Sequence, residues 1–125
     1  MSASHREDKT SFYPILESLL NSVPGAHSAI FCDEEGESIE YCGAMNPYDI
    51  KVAGAYSTVI LQMLRGRQSP TPRTIAISCS SLTMTIHEIK GYTLTLILKR
   101  RTFSAALESA IEKATEKFIH EARLK

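Results

Sequence analysis

The stretch 46-NPYDIKVAGAYSTVILQMLRG-66 reads as one helix with very little surface to offer water. Asn46 can cap its first turn through the side-chain oxygen, Pro47 suits the first helical position, and Asp49 favours the positive end of the helix dipole. Gly66 provides a stop, with Arg65 in the last turn. At about 100° per residue, Val52, Tyr56, Val59 and Met63 fall on one stripe. Ile50, Ala53, Ser57, Ile60, Leu61 and Leu64 fill a broader face beside it, and Lys51, Thr58, Gln62 and Arg65 share the remaining polar edge. A surface helix in a small domain needs one apolar stripe, roughly 100° wide or a little more. The extra stripe, spaced four, three, four, matches the seam along which two helices pack. One face is therefore expected to lie on the chain's own sheet and the other to meet a second protein chain.

Upstream, Ser11 to Ser22 carries Phe12, Ile15, Leu16, Leu19 and Leu20 at helical spacing, with Pro14 in the tolerated first turn. Pro24-Gly25 ends that helix. His27 to Asp33 follows as a strand with Ala29 and Phe31 on one face and Ile30 and Cys32 on the other, which implies cover from both sides. A turn through Glu34, Glu35 and Gly36 leads to a second strand, Glu37 to Gly43, whose Glu37 and Glu40 mark it as a sheet edge.

Downstream, the prolines of GRQSPTPR mark a loop, and three strands follow. Arg73 to Cys79 places Ile75, Ile77 and Cys79 on one face; Leu82 to Ile89 alternates Leu82, Met84 and Ile86 with Thr83, Thr85 and His87. Tyr92 to Leu98 puts Tyr92, Leu94, Leu96 and Leu98 on a common face. Thr102 can cap a last helix with the stripe Phe103, Ala106, Leu107, Ala110, Ile111, Ala114 and Phe118. The order helix, two strands, helix, three strands, helix predicts an α+β domain built as a three-layer α/β/α sandwich. Its five-stranded antiparallel sheet would carry the long helix on one face and the terminal helices on the other. Residues 1–10 read as a disordered lead-in and 11–125 as a single domain.

Composition narrows the function. Fourteen basic residues balance 14 acidic ones, which argues against nucleic acid or an anionic membrane as partner. The longest apolar runs fall far short of the roughly 20 residues that span a bilayer. The polar opening MSASHREDKT is unlike a secretory signal, and three scattered cysteines are no disulfide framework, so a cytoplasmic protein is expected.

His5, His27, His87 and His120 have no metal-ligand spacing, and Cys32 and Cys42 read as buried structural thiols. His87 can face solvent or sit hydrogen-bonded in the core. Pro24-Gly25-Ala26 lacks the elements of a phosphate loop. Asp33, Glu34, Glu35 and Glu37 lack the ligand pattern of a calcium loop and read as a solvated turn; Lys99, Arg100 and Arg101 read as a solvated junction. No catalytic, metal or cofactor residue is assigned, and the chain is not expected to be an enzyme.

The element order, the opening LESLLNSVPGAHSAIFCDEEGESIEYCG and the hairpin IHEIKGYTLTLIL together resemble the roadblock/dynein light-chain family. The matching features are the leucine-rich helix from Leu16 to Leu20, the Val23-Pro24-Gly25 turn, and a strand ending at Asp33 with Gly36 beyond it. The second strand, Ser38 to Gly43, completes the match. The resemblance implies a roadblock/profilin-like fold and a two-fold homodimer, the second helix lying beside its mate and the third strand pairing with its equivalent. The interface would then include Val52, Tyr56, Val59 and Met63 with Ile75 and Ile77.

It also implies an adaptor without cofactor that binds a Ras-like small GTPase or another roadblock regulator, as bacterial Mgl-type members do in polarity and gliding motility. The edge Lys51, Thr58, Gln62 and Arg65 is where such a partner would dock, with the acidic hairpin and the basic junction as the other surfaces. A GTPase-activating protein and a motor light chain are the alternatives the family offers. The end of the sequence soon after the last helix, at Lys125, favours the adaptor over the activator.

Overall fold

The computed structural model describes residues 9–65, 74–78, 81–99 and 105–123. They form, in chain order, α1 (Tyr13–Ser22), β1 (Ala26–Cys32), β2 (Ser38–Gly43), α2 (Pro47–Arg65), β3 (Thr74–Ser78), β4 (Thr83–Ile89), β5 (Tyr92–Leu98) and α3 (Ala105–Ala122). The strands make one sheet in the order β2-β1-β5-β4-β3, and every neighbouring pair is antiparallel. Because β2 and β3 occupy opposite edges, the chain between them has to cross the sheet. Four steps of about 4.8 Å span roughly 19 Å, which a 19-residue α2, about 28 Å long, exceeds. The expected α+β sandwich is what forms.

The two sides of the sheet differ in filling. Against α1 and α3 lies the larger core, with Leu16, Phe31, Leu94, Leu96, Leu98 and Phe118 all sealed from solvent. Its centre is aromatic: the Phe31 and Phe118 rings stack with centroids 4.1 Å apart, and Phe12 approaches Phe31 at 5.3 Å. Against α2 lies a smaller cluster of Ile30, Cys32 and Ile50, flanked by Tyr41 and Met45. The alternation in β1 and β5 is thus spent on two different cores.

Three expectations change. α1 starts at Tyr13 rather than Ser11, with Phe12 as a cap residue that supplies no side-chain hydrogen bond. β2 is an edge strand as expected, but Glu40 is only 1% exposed. Its carboxylate accepts hydrogen bonds from the Thr10 N–H (2.6 Å) and hydroxyl (2.9 Å) and from the Tyr41 N–H (3.1 Å). Thr10 is therefore tied to the sheet edge, and the part of the lead-in that remains, residues 1–8, lies outside the described residues. Thr102 and Phe103, Cys79 and the GRQSPTPR loop (66–73) also lie outside them.

Gly54 fixes how close α2 comes. A Cβ there would sit 2.7 Å from Cys32 Sγ and 3.0 Å from Ile30 Cδ1. Alanine is intrinsically favoured over glycine in a helix by about 1 kcal/mol, yet Gly54→Ala should destabilise, because overpacking costs about 1–3 kcal/mol. Urea denaturation measures the sign, and Cys32→Ala in the same chain should recover part of the loss. A Gly54→Ala variant more stable than the parent would refute the close contact.

Candidate partner-binding surfaces

The start of α2 follows its sequence. Asn46 Oδ1 accepts the Tyr48 N–H at 2.8 Å, and the Asn46 carbonyl accepts from Ile50 N. Its sheet-facing side is Ile50, Gly54, Ser57, Thr58 and Leu61. The two hydroxyls avoid being stranded by donating back along the helix, Ser57 to the Ala53 carbonyl (2.8 Å) and Thr58 to that of Gly54 (3.1 Å). Thr58 also meets Thr93 Oγ1 of β5 at 3.4 Å.

The opposite side is apolar and bare. Tyr56 is 64% exposed, Met63 65% and Val59 49%, with Val52 half-buried among them. Tyr48, 73% exposed, extends the stripe by one turn. Tyr48 is a member of the stripe beyond the expected four: it stands four residues before Val52 and at helical spacing shares its face.

On edge strand β3, Ile75 and Ile77 are half-buried. They stand opposite Ile86 and Met84 of β4, on the side of the sheet that α2 covers further along. All six residues of the expected interface therefore belong to the same side of the molecule.

The polar edge survives in part. Lys51, Gln62 and Arg65 are exposed, each leaning on another element. Lys51 Nζ lies 5.4 Å from the centre of the Tyr41 ring, Gln62 Nε2 donates to the Glu34 carbonyl at 3.1 Å, and Arg65 reaches Glu88 at 3.9 Å. Thr58 does not belong with them: it is 4% exposed and hydrogen-bonded beneath the helix. A hydroxyl that bonds its own backbone can be buried at little cost, which hydropathy does not register.

No sequence-family model matches the chain, and no curated relative matches it by sequence. Solved structures do match. A roadblock/LC7 domain from Streptomyces avermitilis superposes with a TM-score of 0.76 at 15% identity, covering 87% of this chain and 95% of that one. Myxococcus xanthus MglB superposes at 0.79 with 13% identity, covering 94% and 98%. This is a roadblock fold. MglC of Myxococcus xanthus shares it at a TM-score of 0.65 and 18% identity, covering 90% of this chain and 99% of that one.

Among the described residues Cys32, Cys42 and His87 are all buried. Burial, with help from Asp33 and Glu37, pushes the Cys32 thiol up to about 12, far from the reactive thiolate. Cys42 is buried on the other side of the sheet. His87 proves to be a core histidine, its ring nitrogens bonded to Thr74 Oγ1 (3.2 Å) and Thr85 Oγ1 (2.9 Å). Among the described residues no three His, Cys, Asp or Glu side chains converge on a point, and no helix is long and apolar enough to cross a membrane.

Burial also lowers His87 from its ordinary 6.5 to about 4. The folded protein thus keeps the ring neutral while the unfolded chain takes up a proton. The stability this lends is complete above pH 6.5 and is lost as the pH falls towards 4. The loss should be on the order of 3 kcal/mol, and His87→Gln should flatten the pH dependence of the urea midpoint in that window. An imidazole that titrates near 6.5 in the folded protein by NMR would contradict the assignment.

Proposed function

We propose that this chain is a non-catalytic roadblock adaptor of the bacterial Mgl type, a cytoplasmic homodimer that binds a Ras-like small GTPase or another roadblock regulator in a polarity or gliding-motility pathway. One observation carries the reading: α2 turns Tyr48, Tyr56, Val59 and Met63 away from its own sheet and into solvent. Burying each such side chain fully is worth roughly 1.5–3 kcal/mol, so a surface that covers the stripe gains a great deal. A two-fold mate covers it with an identical stripe. The same axis would let β3, an edge strand without a charged residue, pair with its equivalent instead of remaining a template for aggregation. The fold shared with MglB and MglC supports the Mgl-type assignment.

The dimer is tested by putting a charge into the stripe. Val59→Glu and Met63→Glu should each give monomer or aggregate in multi-angle light scattering, because the interface would have to desolvate a carboxylate. An unaltered dimer in both variants would remove the stripe from the interface.

In such a dimer the edge of Lys51, Gln62 and Arg65 would occur twice, beside the paired helices. Lys51→Glu with Arg65→Glu should leave the dimer intact, since exposed substitutions usually stay within about 0.5 kcal/mol. The pair should lower on-rate and affinity for a GTPase or roadblock partner recovered by pull-down, most at low salt. Full affinity in a folded double variant would move the docking site to the acidic hairpin 33–37 or the junction 99–101.

A further inference from the structure

On the far side of the sheet from α2, α3 carries an acidic ridge beside one that holds Lys113, Lys117 and Glu121. Glu108, Glu112 and Glu116 follow one ridge at intervals of four, about 6 Å apart, and Lys113 and Lys117 stand on the next. Like charges spaced this way repel each other. Among the described residues the three carboxylates make no ion pair or side-chain hydrogen bond that would offset the repulsion.

The acidic ridge is also the rim of a groove. A cavity of about 430 Å³ lies between α3 and the β3–β4 edge, with Thr74 and His87 on its floor, Ile111 as its wall and Glu108 and Glu112 above. A second, of about 380 Å³, shares Thr74, His87, Ile111 and Glu112 and adds Thr115 and Glu116. A third continues from Thr115 to Ile119 and Lys90. Glu108 to Ile119 is about 16 Å of helix, so the depression runs that far along α3, beside the half-buried Ile111 and Ile119. Its far end is mixed in charge, with Lys90 beside Glu88 and Arg123 beside Glu116.

We infer that this groove binds a basic, aliphatic segment of a partner protein. The carboxylates call for cations at a repeat of about 6 Å, which Lys or Arg supplies four residues apart in a helix or two apart in a strand. The isoleucine wall takes aliphatic side chains between them. Thr74 and His87 face the α1–α3 side, so this surface and the α2 stripe lie on opposite faces and can be occupied together. The inference does not depend on the dimer.

The test selects 16-residue peptides from a random displayed library on the full chain at low salt. The best binders are then titrated by fluorescence anisotropy against the parent, Glu112→Gln/Glu116→Gln and Glu112→Lys/Glu116→Lys. The expected binders are net positive with interspersed aliphatic residues. They should lose about tenfold in affinity on the glutamine pair and more on the lysine pair. Changing their own lysines to glutamate should restore binding to the lysine pair, a rescue that a folding defect cannot mimic.

A selection that yields no basic peptide sensitive to these charges overturns the inference. So does self-association of the parent that both double variants abolish, which would give the groove to the Lys113–Lys117 ridge of a second copy.

Discussion

The closeness of α2 to β1 governs the rest of the molecule. With Gly54 against Cys32 and Ile30 there is room for little more than a backbone at the middle of the contact. The neighbouring inward positions are Ser57 and Thr58, and full-sized apolar side chains return only at Ile50 and Leu61. Bulk that cannot go beneath the helix goes above it, where Tyr48, Tyr56, Val59 and Met63 project. The usual partition, large apolar inside and small polar outside, is reversed along the centre of α2. It is tolerable inside because both hydroxyls bond carbonyls one turn back. Outside, it leaves a surface whose burial is the strongest driving force available to this helix.

Both edges of the sheet are held by a buried polar side chain. At β2, Glu40 gathers the Thr10 amide and hydroxyl. At β3, His87 joins the Thr74 hydroxyl to that of Thr85. Each is buried at a cost that its hydrogen bonds offset, and each places its polar atoms on the α1–α3 side. Among the described residues Thr95, on the α2 side, has a buried hydroxyl that makes no hydrogen bond. Removing such a group from water costs roughly 1–3 kcal/mol, and nothing else in the structure explains its presence.

Whatever followed from periodicity could be read in the sequence. β5 keeps its bounds because Tyr92, Leu94, Leu96 and Leu98 alternate without interruption, and β1 shows two apolar faces because it has two cores to fill. The outward stripe of α2 was legible for the same reason, its members recurring at four, three and four. What escaped was polarity that had found a partner. Thr58 borders both the buried face and the polar edge, and only its backbone hydrogen bond decides between them. Glu40 looks like a solvent-facing charge until Thr10, 30 residues away, is brought against it. Tyr48 stands in the first turn, where its N–H is taken by the Asn46 cap and its ring projects outward with the stripe. For His87, alternation in β4 gives the Thr83, Thr85, His87 face no label; the cover that α3 supplies is a tertiary fact.

These constraints also account for a fold shared at 13–18% identity with the three structural neighbours. None of them demands a particular apolar residue. Close approach of α2 demands small volume at one position, the sheet demands alternation, and the outward stripe demands bulk at helical spacing. Many sequences satisfy rules of size and pattern, and cores tolerate wide exchange when volume and patterning are kept. Such rules leave little for sequence matching to detect, while the backbone they specify stays recognisable across nearly the whole chain. The charges on α3 and on the edge of α2 are bound by none of these rules. Those ridges can therefore diverge without disturbing the scaffold that presents them.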